Sequence, residues 1–110
     1  MLYKKPKRTV STGPESQGTD RLIRYMEARG WHFERLAAGM YQVGLPDWVA
    51  FHVKFGLRWI EMKAPGRKLR RSQEIKFAIM EQYGQEVYVL EDERHYPLLF
   101  KDKGNWRHYA

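Results

Sequence analysis

Three charged residues near the middle of the chain have the types and spacing of a catalytic site. Asp47 opens the β-forming segment DWVAFHV, whereas Glu61 and Lys63 close the segment LRWIEMK. The short sequence KFG separates the two segments, which predicts a β-hairpin with a tight turn. Because side chains alternate along a strand, Glu61 and Lys63 should point to one side of the sheet. Pairing about the turn would bring Asp47 to the same end.

Two carboxylates and a lysine in this arrangement suit metal-dependent hydrolysis of a phosphodiester. Magnesium prefers carboxylate oxygens, water and substrate phosphate as ligands. A bound cation can polarise the phosphodiester and help to generate hydroxide, while a lysine positions the water or stabilises charge on the phosphate. The alternative is a surface ion pair between Glu61 and Lys63, which would contribute little to stability. The joint pattern of Pro-Asp, hairpin, acid-x-lysine, basic loop and helix is more specific than either pair alone, and together with the family resemblance described below it favours the metal site.

The first helix and the strands around the hairpin must position these residues. A helix is predicted from Pro14, with Glu15 in its first turn, to a stop at Gly30. Gly18 disfavours a helix, so a start only at Asp20 is the alternative. The segments WHFERL and EVYVL read as further strands, the second one after the second helix.

The second helix, SQEIKFAIMEQYG, has Ser72 as a plausible cap and ends at Gly84. We expect its inward face to consist of Ile75, Ala78, Ile79 and Tyr83. The strand before this helix and the strand after it should be parallel, because a crossover joins them. The order α-β-β-β-α-β therefore predicts an α/β domain with a mixed sheet flanked by helices.

Residues 14–110 are predicted to form this single domain, and residues 1–13 a flexible basic arm. Two interpretations of the arm stand side by side: it lies along DNA phosphates, or it is a solvated tail. In the C-terminal tail, Leu98, Leu99 and Phe100 could form a last strand or a short helix.

The composition indicates a polyanionic partner. The chain has 110 residues and a net charge of +7, which favours nucleic acid over a basic surface kept for solubility. The absence of cysteine excludes disulfides and thiolate chemistry and fits a reducing compartment. Neither a bilayer-spanning apolar run nor a signal-peptide segment is found, so we predict a cytoplasmic protein without membrane association. No phosphate-cradling glycine loop is present, so no nucleotide cofactor is expected.

On these residues the chain resembles the PD-(D/E)xK nuclease superfamily and, within it, the VRR-NUC domain, a virus-type replication-repair nuclease. The resemblance extends from about Glu15 to Leu90. It rests on the segments ESQGTDRLIRYMEARGW, GLPDWV, WIEMKAPG, RRSQEIKFAIMEQYG and EVYVL. It implies a restriction-endonuclease-like core and a Mg²⁺-dependent endodeoxyribonuclease in which Mn²⁺ can substitute.

The resemblance also implies roles for individual residues. Asp47 and Glu61 match metal ligands, and the backbone carbonyl of Met62 completes such a site in the family. Lys63 matches the catalytic lysine. Gln73 matches a glutamine that supports the active site, although an ordinary polar residue in a first helical turn is the alternative.

The resemblance also implies roles in the nuclease site for a residue of the first helix and for a basic loop. Glu15 matches a glutamate of the first helix that binds metal directly or through water, and a plain N-terminal helix acid is the alternative. The loop APGRKLRR crowds four cations between the catalytic strand and the second helix, where they could contact DNA or form a solvated charge run. These cations are Arg67, Lys68, Arg70 and Arg71.

The expected substrate and assembly follow from the family. Stand-alone VRR-NUC domains are similar to Holliday-junction resolvases that act as dimers, which implies a homodimer acting on branched DNA in a bacterial or phage-infected cell. The tail residues Leu98, Leu99, Phe100 and Trp106 are candidates for an apolar dimer patch, or else for the core. The alternative function is a catalytically inactive basic DNA-binding or assembly module with the same fold.

Overall fold

Among the described residues, 14–36 and 43–110, four strands and two α-helices form the framework that carries the charged residues. The predicted basic arm, residues 1–13, lies outside the described residues. In the computed structural model the predicted order is confirmed. The elements are α1 (Pro14–Glu27), β1 (His32–Arg35), β2 (Trp48–His52), β3 (Gly56–Met62), α2 (Arg71–Gln82) and β4 (Val87–Leu90), followed by 3₁₀ helices at Glu93–Phe100 and Trp106–Tyr109.

The four strands form one mixed sheet in the order β1-β2-β3-β4. The β1–β2 and β2–β3 pairs are antiparallel, and the β3–β4 pair is parallel, as the strand–helix–strand unit predicted. In the hairpin, Trp48 pairs with Ile60 and His52 with Gly56. This register brings Asp47, just before β2, beside Glu61 near the end of β3.

Helices cover the two faces of the sheet, so the prediction of a mixed sheet flanked by helices is confirmed. One face packs against the α1 side chains Leu22, Ile23 and Met26. The opposite face packs against Phe77 and Met80 of α2. All four residues of β4 are buried, as expected of a strand with helices on both sides. Burial of each large apolar side chain in these two layers contributes about 1.5–3 kcal/mol to the free energy of unfolding.

The inward face of α2 differs from the prediction. Gln73 and Phe77 are fully buried, whereas Ile75, Ile79 and Tyr83 are 50%, 44% and 79% exposed. The predicted inward orientation of these three residues is therefore wrong. Relative to the predicted orientation, the helix is rotated about its axis, because the polar residue Gln73 faces the sheet and Phe77 lies one turn further along the same face. We call the exposed residues Ile75, Ile79 and Tyr83 the α2 stripe.

The C-terminal segment covers the outer edge of β4. The Asn105 side chain behaves like a neighbouring strand: its Oδ1 accepts from the Val89 N–H at 2.6 Å, and its amide donates to the Val89 carbonyl at 2.9 Å. Gly104 approaches so closely that a Cβ there would lie 2.0 Å from the Val87 carbonyl oxygen. Glycine at position 104 is therefore needed for this edge to be covered.

The tail residues divide between core and surface. Leu99 and Trp106 are 0% and 3% exposed, so they belong to the core and not to a dimer patch. Phe100 is 42% exposed, and its ring centroid lies 4.7 Å from that of Phe55. Leu98, Leu99 and Phe100 lie in a 3₁₀ helix, so of the two predicted alternatives the short helix is correct and the strand is wrong. None of the helices in the described part of the chain is long and apolar enough to cross a membrane.

Candidate active site

Four residues singled out by the sequence meet at one end of the sheet. Glu61 is only 2% exposed and lies beneath the start of α2. Its Oε1 accepts from the Asp47 main-chain N–H at 3.2 Å, and its Oε2 accepts from Gln73 Nε2 at 2.9 Å. The Lys63 Nζ lies 3.5 Å from the same Oε2. The structure thus brings Asp47, Glu61, Lys63 and Gln73 together.

The end of β3 separates Lys63 from Met62. Lys63 directly follows the strand, and its main-chain N–H donates to the Leu90 carbonyl at 3.0 Å. Its side chain is 14% exposed and turns to the Glu61 side. The Met62 side chain instead packs against the α1 core on the opposite face. The alternation expected from a strand therefore continues to its last residues.

Gln73 connects the start of α2 to the acidic residue. It is fully buried, and both ends of its amide are used. Its Oε1 accepts from the Arg70 main-chain N–H at 3.0 Å, while its Nε2 donates to Glu61. This pairing defines one amide orientation and holds the Glu61 carboxylate at a constant position relative to the helix.

The backbone before Asp47 is held against α2. Gly44 has a φ of +87°, and a Cβ there would lie 2.3 Å from the Ser72 carbonyl oxygen, so a larger residue does not fit. On the other side, the Leu36 N–H donates to the Asp47 carbonyl at 2.8 Å. Asp47 is therefore positioned by β1 through Leu36 and by the contact of its loop with α2.

The electrostatics of this cluster are unfavourable to the ionised form of Glu61. Burial and the nearby Asp47 raise the pKa of Glu61, while the Gln73 hydrogen bond and the Lys63 charge lower it in part. Because the folded pKa is raised, Glu61 contributes stability below its unfolded pKa and loses that contribution as the pH rises through the folded value. A cation bound to both carboxylates would reverse this penalty.

The donor set fits a hard divalent cation. Among the side chains that the structure describes, which exclude that of Glu15, no group of three or more His, Asp or Glu is placed to hold a metal ion. Two carboxylates together with water and a substrate phosphate are nevertheless the ligands that magnesium prefers. Asp47 and Glu61 supply those carboxylates, and the Met62 carbonyl is the predicted backbone ligand.

The remaining predicted ligand is on α1. This helix begins at Pro14 and continues through Gly18, so the alternative start at Asp20 is wrong. The side chain of Glu15 lies outside the described residues, and its role stays a prediction. Further along the helix, Thr19 lines a cavity beside Lys63.

The predicted DNA-contacting cations surround the N-terminus of α2. Arg71 forms a surface ion pair with Glu74 at 3.1 Å. All four side chains are exposed and available to phosphates, and the positive end of a helix dipole also favours anions. These cations are Arg67, Lys68, Arg70 and Arg71.

The structure adds residues that the sequence could not place. Arg35 ends β1 beside Trp48, its guanidinium carbon 5.3 Å from that ring, so it lies at the same end of the sheet as Asp47. Lys54 is in the hairpin turn at the opposite end. Glu91 lines the cavity beside Lys63, and its position directly after an apolar strand was the signal that could have found it.

Comparisons with models of known protein families, with curated proteins and with solved structures find no match to this chain. The resemblance to the VRR-NUC domain therefore stays a prediction from the sequence.

Proposed function

We propose that the protein is a metal-dependent endonuclease that hydrolyses DNA phosphodiester bonds. The observation that carries the proposal is the buried Glu61 carboxylate, held by two hydrogen bonds with Lys63 Nζ 3.5 Å away. A buried carboxylate next to a second acid lowers stability, and such sites are enriched in catalytic centres. The net charge of +7 supports a polyanionic substrate. The proposal includes the restriction-endonuclease-like core and the cytoplasmic setting that the resemblance implies.

Each residue of the cluster has a role in this proposal. Asp47, Glu61 and the Met62 carbonyl hold a divalent cation, Mg²⁺ or Mn²⁺. When bound, the cation supplies polarisation of the phosphodiester and a lowered pKa for water. Gln73 keeps the Glu61 carboxylate in position. Lys63 orients the attacking water or neutralises charge that develops on the phosphate.

A cleavage panel tests the proposal. We expect Mg²⁺ or Mn²⁺ to support cutting of four-way, splayed or flap DNA in preference to linear duplex, and a chelator to abolish it. The preference is expected because the described residues include no module that reads base edges, so specificity would come from DNA shape. Binding without cleavage under every metal condition would contradict the proposal. It would support the alternative of an inactive basic DNA-binding or assembly module.

A homodimer with two active sites is part of the same proposal. The α2 stripe supports it, because contiguous exposed apolar side chains commonly mark contact surfaces. A mass measurement in solution beside the cleavage panel decides whether two copies are needed for cutting.

The basic loop provides a prediction about binding. Changing Arg70 and Arg71 together to alanine should weaken DNA binding and reduce the slope of log affinity against log salt by about 2, since each cation neutralises one phosphate. The Arg70 main-chain N–H that Gln73 accepts is kept in this variant. Fluorescence anisotropy between low and moderate salt measures the slope.

The matched control removes two cations elsewhere. Lys54 lies in the hairpin turn, and Lys101 follows Phe100, which packs on the turn residue Phe55. Changing both lysines to alanine alters the net charge equally but should leave most of the slope unchanged. Equal slopes for the two double variants would place DNA away from the loop.

A further inference from the structure

A cavity of about 390 Å³ opens beside Lys63, between α1 and the C-terminal ends of β3 and β4. This volume falls in the range of about 300–1,000 Å³ that is typical of small-ligand sites. Apolar side chains form much of its wall, and Lys63 is shared with the candidate active site. The described residues of its wall include Leu22, Met62, Pro65, Lys63, Arg67 and Glu91.

Glu91 lines the cavity, and the other charged residues described along its wall, Lys63 and Arg67, are cations. The Tyr109 hydroxyl donates to its Oε2 at 3.0 Å, and the His95 Nε2 lies 3.9 Å from that oxygen. The Glu91 main-chain N–H donates to His95 Nδ1 at 2.9 Å. Burial and the hydrogen bond to Glu91 raise the pKa of Tyr109 to about 12, so its hydroxyl remains a donor at neutral pH. The carboxylate is thus held in place.

The Glu91 carboxylate retains capacity for further donors. A carboxylate offers about four lone-pair positions, of which Tyr109 uses one. Its charge would repel a phosphate, so the cavity suits an uncharged group that carries N–H donors. A nucleobase meets this requirement, because its faces can pack against Met62 or Pro65 while its polar edge meets the acid.

The identity of the preferred base follows from the same chemistry. Guanine presents its N1–H and its 2-amino group side by side, and the two carboxylate oxygens can accept from both. Thymine presents one N–H between two carbonyl oxygens, which the carboxylate repels. A base reaches a concave site of this kind only when it is unpaired or turned out of the stack.

Resting on the proposed nuclease function, we propose that this cavity receives one unpaired nucleobase adjacent to the cleaved phosphate, and that Glu91 favours guanine over thymine. Lys63 and Arg67 border the cavity and contact the phosphates on either side of that nucleotide. Substrates with an unpaired nucleotide at the cleavage position are therefore preferred over continuous duplex.

The test is a binding measurement that needs no hydrolysis. Labelled duplexes with one bulged nucleotide, dG, deoxyinosine or dT, are titrated with the protein in chelator and followed by anisotropy. We expect the dG bulge to bind at least about fivefold more tightly than the dT bulge. Deoxyinosine, which lacks the 2-amino group, should fall between them. In Glu91→Gln the dG and dT affinities should converge.

Tyr109→Phe is the matched control, because it removes the hydrogen bond to Glu91 and keeps the carboxylate. It should retain the dG preference, whereas a merely structural Glu91–Tyr109 contact would make the two variants behave alike. Equal affinities of the unaltered protein for the three bulges would overturn the inference, and cleavage would then still support the nuclease. A dG preference without cleavage in any metal would remove the nuclease proposal and leave the pocket.

Discussion

Lys63→Ala is expected to slow metal-dependent DNA cleavage by about 10²–10⁴-fold, the range for loss of a positioned proton-transfer or charge-stabilising group. Lys63 is the cation next to Glu61, at 3.5 Å, and its side chain is largely enclosed at 14% exposure. DNA binding should persist, because four exposed cations of the basic loop remain. Single-turnover cleavage and anisotropy separate the two effects.

Two comparisons make this expectation specific. Lys68→Ala removes an equal charge from the exposed loop and should leave the cleavage rate within about threefold, since one surface contact contributes little. Asp47→Ala should abolish metal-dependent cleavage without lowering the melting temperature of the metal-free protein, because it removes one cause of the raised pKa of Glu61. Unaltered cleavage in Lys63→Ala, or unfolding of Asp47→Ala without metal, would contradict the assigned roles.

Gln73→Glu is expected to reduce the free energy of unfolding by about 2–4 kcal/mol at neutral pH. The change keeps the size of the side chain and the acceptor for the Arg70 N–H, but replaces the donor to Glu61 by a second buried carboxylate. The pKa of the pair is therefore raised above the unfolded value. Stability is retained below the unfolded pKa and lost as the pH rises through the folded pKa. Denaturant unfolding at pH 7 and pH 5 should show the deficit shrinking at the lower pH.

The exchange variant Glu61→Gln with Gln73→Glu is the control for this prediction. It keeps one buried carboxylate and one amide in contact, so it should recover more than half of the stability lost in Gln73→Glu. It also moves a proposed metal ligand, so cleavage should remain lost. Equal unfolding free energies for the parent and Gln73→Glu at pH 7 would show that the Gln73–Glu61 contact does not hold the buried acid.

The hairpin could be predicted because its information is local. The two β-forming segments predicted the hairpin, but its turn is residues 53–55 and not KFG, because Gly56 already pairs with His52. The observed register still brings Asp47 beside Glu61, and the Asp47 main-chain N–H donates to the Glu61 carboxylate. The parallel β3–β4 pair was predicted in the same way, from the helix that joins the strands. Gln73 was reached through the family resemblance, and its burial against Glu61 is a tertiary contact that spacing does not encode.

The features that were not predicted from the sequence depend on contacts between segments that are distant along the chain. The spacing of apolar residues predicted the wrong buried face for α2, because Ile75, Ile79 and Tyr83 are regularly spaced but face outward. The Glu91–Tyr109 contact joins the end of β4 to the last helix and has no periodic signal. The Asn105 amide that covers β4 has no sequence signal either, because its pattern does not differ from that of any other polar residue in an irregular tail.

The covered edge of β4 has a consequence for how copies of this protein can associate. Asn105 occupies both hydrogen-bonding groups of Val89 that a fifth strand would use, and Gly104 fills the space beside Val87. Copies cannot extend one another's sheets across β4 unless the residues after Lys103 first detach. Proteolytic loss of that segment would expose the β4 edge to pairing with strands of other molecules, so the residues after Lys103 protect this edge against edge-to-edge association.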